Sequence, residues 1–142
     1  MPSIEHIQYV KAPIEQVFAA LTTQAGLAAV WTDNLSVTPE VGAINSFAFG
    51  SGKPDRMKVV ELVPGRRQLW HCLDSDPEWI GTEISFDLEP RKGKVAVTLK
   101  QEKWRAVTEF YRFCNYNWGV FLLSLKGYCE DGKGIPYQDR KF

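Results

Sequence analysis

Histidine is almost missing from this chain, cysteine is scarce, and no charge sign dominates. Each shortage removes a class of function. Among 142 residues there are two histidines, His6 and His71, and three cysteines, Cys72, Cys114 and Cys129. The histidines fall in separate strand-like runs, with no C-x-x-C or H-x-x-x-H spacing. A transition-metal site therefore lacks its third and fourth ligands. The cysteines are odd in number, widely spaced and set in apolar segments, which points to reduced thiols rather than a disulfide framework. Seventeen basic and seventeen acidic residues cancel. With no long run of either sign, neither nucleic acid nor an anionic membrane is favoured as a partner. No stretch approaches the ~18 apolar residues of a membrane span, and Met-Pro-Ser-Ile-Glu-His lacks the apolar core of a signal peptide. The expectation is one cytoplasmic domain over residues 1–142, long enough to bury about 68–70% of its unfolded surface without disulfides or metals.

What is abundant is periodic hydrophobicity. Ile4 to Lys11 reads as a first strand, ended by Ala12-Pro13. Pro13 suits the first turn of a helix, where its missing N–H has no partner to lose, and Ile14, Val17, Phe18 and Leu21 follow at helical spacing. Gly26 interrupts, and a second short helix runs to about Trp31. Leu35–Val37, Ile44–Phe49, Met57–Val63 and Gln68–Leu73 are then short β-type runs separated by Pro39-Glu40, Ser51-Gly52-Lys53-Pro54 and Pro64-Gly65. In Thr82–Leu88, Ile84, Phe86 and Leu88 alternate with Glu83, Ser85 and Asp87. Val95, Val97 and Leu99 repeat the pattern, with Glu89–Gly93 as the intervening turn. A long helix closes the chain, with Tyr111, Cys114, Trp118, Phe121, Leu122, Leu125 and Cys129 on one stripe. Its start is open: Asn115 and Asn117 are candidate caps, and a start near Thr108 is the alternative. Gly132 and Gly134 end it, and Pro136 prevents resumption.

The order β-α-α-β-β-β-β-β-β-α is α+β, a helix-grip fold: a curved antiparallel sheet around a long C-terminal helix, with two short helices after the first strand. The runs Ala12–Thr22, Val63–Trp70, Gly81–Leu88 and Trp118–Tyr137, together with Trp31, resemble the SRPBCC (START/Bet v 1-like) superfamily. Within it they resemble single-domain relatives of the C-terminal domain of the activator of Hsp90 ATPase. The resemblance spans nearly the whole chain and is specific for fold; family members bind varied ligands, and some catalyse. It does not imply co-chaperone activity, because the chain has no room for the separate N-terminal domain of the Hsp90 activators. The aromatic segment Trp104–Tyr116 is a departure that reshapes one end of the cavity.

Candidate chemistry is sparse. His71 and Cys72 are adjacent, and neighbours on a strand point to opposite faces, so they form no dyad. The family pattern puts Trp70 and Cys72 inward and His71 outward. Glu61, Glu83 and Asp87 fall on the polar side of their strands, leaving Asp33, beside Trp31, as the one acid to consider for a cavity. Gly50-Ser-Gly-Lys-Pro54 lacks the phosphate-loop frame and is a turn. The remaining signal is aromatic. Trp31, Phe49, Trp70, Trp79, Phe86, Trp118 and Phe121 either line a pocket or fill the interior, and Cys72, Ile84, Val97 and Cys114 belong to the same candidate lining. Trp79, on a polar loop, is either a lid or an anchor. Gly119 and Gly127 thin the helix near Trp118, and Tyr116, Tyr128 and Gln101 are candidate donors at the mouth. The expected function is binding of a small, largely apolar molecule between sheet and helix, with no metal, no cofactor and no catalytic residue assigned. Two alternatives stand: a cavity enzyme of polyketide cyclase or hydratase type, and a chaperone-interaction module. The thiols and clustered aromatics fit a homodimer contact as readily as a core.

Overall fold

Ile4–Val10 forms the first strand (β1), followed by α1 (Ile14–Thr22) and α2 (Gln24–Val30). Six strands come next: β2 (Leu35–Ser36), β3 (Ile44–Phe47), β4 (Asp55–Val63), β5 (Arg67–Asp74), β6 (Glu83–Arg91) and β7 (Lys94–Glu102). The long helix α3 (Glu109–Asp131) and a short 3-10 turn at Tyr137–Asp139 complete the computed structural model, which describes residues 1–141. The strands form one antiparallel sheet in the order β1-β7-β6-β5-β4-β3-β2. This is the helix-grip arrangement. Cross-strand pairs Phe86↔Leu99 and Leu88↔Val97 align the inward residues of β6 and β7, as a strict two-residue period requires. A register shift between Val59 and Glu61 in β4 bends the strand and helps the sheet curl.

Several local details differ from the sequence expectation. Gly26 does not interrupt α2 but lies inside it; the break is at Thr23, whose side chain caps α2 by accepting the Gly26 N–H. A Cβ at Gly26 would stand 2.5 Å from the Ala20 Cα, so this glycine permits the close crossing of α1 and α2. The β6–β7 turn is also shorter than the five residues expected. Glu89, Pro90 and Arg91 pair with Ala96, Val95 and Lys94, and only Lys92-Gly93 turns, because the ladder overrides the turn-rich composition. β2 stops at Ser36 and β3 at Phe47. Of the three candidate starts for α3, Thr108 serves as the cap, its Oγ1 accepting the Tyr111 N–H at 3.1 Å. Asn115 instead bonds His6 at 2.9 Å, and Asn117 donates to the Phe113 carbonyl. Gly132, with φ +79°, ends the helix, the left-handed conformation that glycine adopts without a Cβ penalty.

The buried stripe of α3 lies on an aromatic interior. Phe47, Trp70, Phe86 and Phe121 are fully buried, and rings of this kind bury about 150–250 Å² each at ~25 cal/mol per Å², several kcal/mol apiece before entropy. Gly119 faces His6 on β1, and Gly127 lies against the Lys133 carbonyl, so neither opens space beside Trp118.

Gly26→Ala tests the helix crossing. Alanine gains about 1 kcal/mol in helix propensity, and forcing the helices apart costs about 1–3 kcal/mol. With contact to backbone atoms the clash wins. The expected result is a lower urea midpoint with an unchanged slope.

Candidate functional site

The space between the middle of α3 and the sheet is filled. Trp31 caps the end of α2 and stacks on Trp70 at 5.8 Å and 12°. Its ring also packs against Phe47, Trp118 and Phe121 at 4.6, 5.4 and 5.6 Å. Phe86 fits edge-on against Trp70 at 5.2 Å. The open volume lies at one end of the grip instead, as a cavity of about 240 Å³. Its walls come from places distant in sequence: Trp31 after α2, Phe49 after β3 and Asp55 at the start of β4; Ser75, Asp76 and Trp79 of the β5–β6 connection; the first turns of α3; and the C-terminal Tyr137 and Arg140.

Five of the residues expected in a pocket meet there: Trp31, Phe49, Trp79, Cys114 and Trp118. Trp70, Cys72, Ile84, Phe86, Val97 and Phe121 are buried in the interior behind it and form no part of this cavity's wall. Phe110 and Phe113, from the aromatic segment that starts α3, complete the apolar lining.

A buried polar relay holds two of the walls. Trp118 Nε1 donates to Gln101 Oε1 at 2.8 Å, the Gln101 amide donates to Thr82 Oγ1 at 3.0 Å, and Thr82 Oγ1 donates to the Trp79 carbonyl at 2.7 Å. Trp79 stacks on Trp118 at 5.8 Å and 12°, and its indole N–H donates to Cys114 Sγ at 3.3 Å. Trp79 is therefore an anchor that is also a wall. Arg105 clamps the same loop through the Pro77 and Ile80 carbonyls. Gln101, proposed as a donor at the mouth, is committed inside this relay. Tyr116 lies on the outer side of α3 and Tyr128 packs against the core; neither lines the cavity.

The cavity does contain acids, and Asp33 is not one of them. Asp33 is exposed, with its backbone N–H bonded to Gln138, and it does not line the cavity. Beside Asp76 stands Asp55, the first residue of β4, where the end of β5 delivers Ser75 alongside. Ser75 Oγ donates to Asp55 Oδ1 at 2.8 Å. Burial pushes the Asp55 carboxyl up to about 6; the Ser75 hydrogen bond opposes this, and the nearby charges of Asp76 and Asp74 add to it. No periodicity flags Asp55, because its partner is 20 residues away. Glu61 and Asp87 face outward, bridged by Arg67, and Glu83 pairs with His71 and Lys103. Cys72 and Cys114 are held protonated, with burial as the main cause lifting both thiols to about 12. Such thiols are not nucleophiles at neutral pH.

Arg140 lines the cavity from the C-terminal side. Its Nε donates to the Ile135 carbonyl at 2.7 Å and an Nη donates to the Val30 carbonyl at 3.0 Å. Burial lowers its pKa. Among the described residues no group of three or more His, Cys, Asp or Glu side chains is placed to hold a metal, and no helix is long and apolar enough to cross a membrane.

A curved sheet gripping one long helix, with an apolar cavity at its open end, defines a helix-grip protein of the SRPBCC (START/Bet v 1-like) type. The chain belongs to the Activator of Hsp90 ATPase homolog 1-like protein family, which matches residues 11–130. The solution structure of the Aha1 dimer from Colwellia psychrerythraea is similar at 39% identity and a TM-score of 0.87, over 94% of this chain and all of that one. A Staphylococcus saprophyticus protein shares the fold at 18% identity and a TM-score of 0.77, over 94% of this chain and 96% of its own. DynU16, from the dynemicin biosynthetic locus, shares it at 24% and 0.78, over 93% of this chain and 48% of its own. No curated protein matches the chain in sequence.

The Asp55 carboxyl makes stability depend on pH. The fold keeps this proton up to about pH 6, whereas the same carboxyl in the unfolded chain, at its ordinary 3.8, has already released it. The native advantage is complete below 3.8 and is lost as pH rises to about 6, where the fold must hold a buried carboxylate. Asp55→Asn, neutral throughout, should gain stability relative to the parent between pH 4 and pH 7, read from urea midpoints at both.

Proposed function

We propose that this protein binds a small, largely apolar, ring-containing molecule in the cavity at the N-terminal end of α3. The observation that supports this is the lining itself: seven aromatic side chains around about 240 Å³, held in place by hydrogen bonds among the walls. Drug-sized pockets span about 300–1,000 Å³, so the occupant is of one or two rings. Burial of its apolar surface drives binding at ~25 cal/mol per Å² before association costs. Thermal unfolding against a panel of mono- and bicyclic aromatics tests the reading. A ligand at 100 times its Kd adds ~2.7 kcal/mol and raises the midpoint by several degrees. No shift across the panel would remove it.

Asp55 supports a second reading, a cavity enzyme of cyclase or hydratase type. A carboxyl near pH 6 in an apolar cavity exchanges a proton readily near neutrality. In the same incubations, conversion of a bound ligand by the parent and not by Asp55→Asn, with binding retained, marks catalysis.

The outer face of α3 carries a second apolar stripe, Tyr116 (68% exposed) and Leu123 (55%) with Val120 between them, which runs on from Phe113 at the rim of the cavity. Their spacing puts them on one face. A chaperone-interaction module would present such a patch. We infer that a second copy of this chain covers it, since the 39%-identical Colwellia protein is a dimer. The pair Tyr116→Arg and Leu123→Arg should halve the sedimenting mass without unfolding the protein; a parent that sediments as a monomer would overturn this.

A further inference from the structure

Among the described residues Arg140 is the one cation lining this cavity, whose other walls are mostly rings, with Asp55 and Asp76 as its acids. Two of the five N–H donors of its guanidinium are taken by the Ile135 and Val30 carbonyls. The other three have no partner among the described residues, and no ion pair involves Arg140. Asp55 and Asp76 line the same cavity without neutralising it; the charges that bear on Asp55 are those of Asp76 and Asp74. Arg140 is only half-buried, and none of its spare N–H groups is sealed from solvent, so they remain available to an acceptor that enters the cavity. The carbonyl bonds also fix the planar fork to α2 and to the C-terminal segment. Its orientation is set before any ligand arrives, as bidentate recognition of a carboxylate requires.

Resting on the binding reading above, we propose that the cavity is specific for small aromatic carboxylates, with the ring between Trp79 and Phe49 and the carboxylate on Arg140. The acids constrain the pose as well as the charge. An anionic group is repelled by Asp55 and Asp76 and attracted by Arg140, so the carboxylate is driven to the C-terminal wall and the ring is left to the aromatic walls. A neutral ring of the same shape keeps the apolar contacts and loses only the ionic hydrogen bonds.

Matched pairs separate these contributions. Binding of benzoate against benzamide, and 2-naphthoate against 2-naphthamide, is measured by calorimetry on the parent protein and on Arg140→Gln. A charged hydrogen bond to a fixed guanidinium predicts a preference of about tenfold or more for each acid. That preference should fall toward unity in Arg140→Gln while amide affinity stays within about twofold. Equal binding of acids and amides by the parent overturns this proposal and leaves the aromatic cavity standing. A preference that persists in Arg140→Gln overturns it too. If none of the four binds, the binding reading falls and takes this one with it. The amides also guard against a disturbed C-terminal wall: if their affinity collapses in the variant, the acid-to-amide ratio in the parent alone decides.

Discussion

Packing around the indole of Trp31 is the constraint on which this molecule depends. Its ring touches five others, drawn from β3, the segment after it, β5 and α3. Its backbone carbonyl accepts the Tyr137 N–H at 2.6 Å. One residue at the end of α2 therefore joins the helix pair, the sheet, the long helix and the C-terminal segment. Close-packed interiors tolerate little change in volume. Once rings of this size meet at the centre of the grip, the open space is displaced to the N-terminal end of α3, where the apolar walls run out into polar loops.

Placing the cavity at the end of the grip gives it its chemical character. A cavity deep between sheet and helix would be lined by inward strand positions, which here are almost all apolar. At the end, strand termini and loops contribute Asp55, Ser75, Asp76 and Arg140. The site combines stacking surfaces with charges that do not cancel each other. The Trp118–Gln101–Thr82–Trp79 relay lies behind the rings and keeps two of them parallel. Buried polar groups of this kind fix geometry when all their partners are present.

The sheet was legible because its pattern has one short period and one buried face. Ile84, Phe86, Val97 and Leu99 announced β6 and β7, and the same parity assigned Glu61, Glu83 and Asp87 to the outside. The gripping helix was legible from its inner stripe and its glycine stop. The site was not, for a physical reason: Asp55, Ser75 and Arg140 owe their places to strand register and to a C-terminal segment that folds back on α2. No local period encodes either. Gly26 was misread because a glycine in a helix pattern looks like a break, whereas here it answers to a neighbouring helix. The second stripe on α3 was hidden in plain sight, since a helix apolar on two faces reads as one apolar helix until its partners are known.

The pairing of β1 with β7 also bears on how the chain is made. Ile7 lies opposite Thr98, so about 90 residues separate the first strand from its only sheet neighbour. At about 5–20 residues per second, β1 leaves the ribosome several seconds before β7 exists to receive it. Through that interval β1 and α1 carry the apolar residues Ile4, Val10, Val17 and Leu21 without the cover that β7 and α3 give them in the finished fold. Nascent copies of this protein are thus sticky at their leading end until synthesis is well past the halfway point, and on a polysome neighbouring chains share that window.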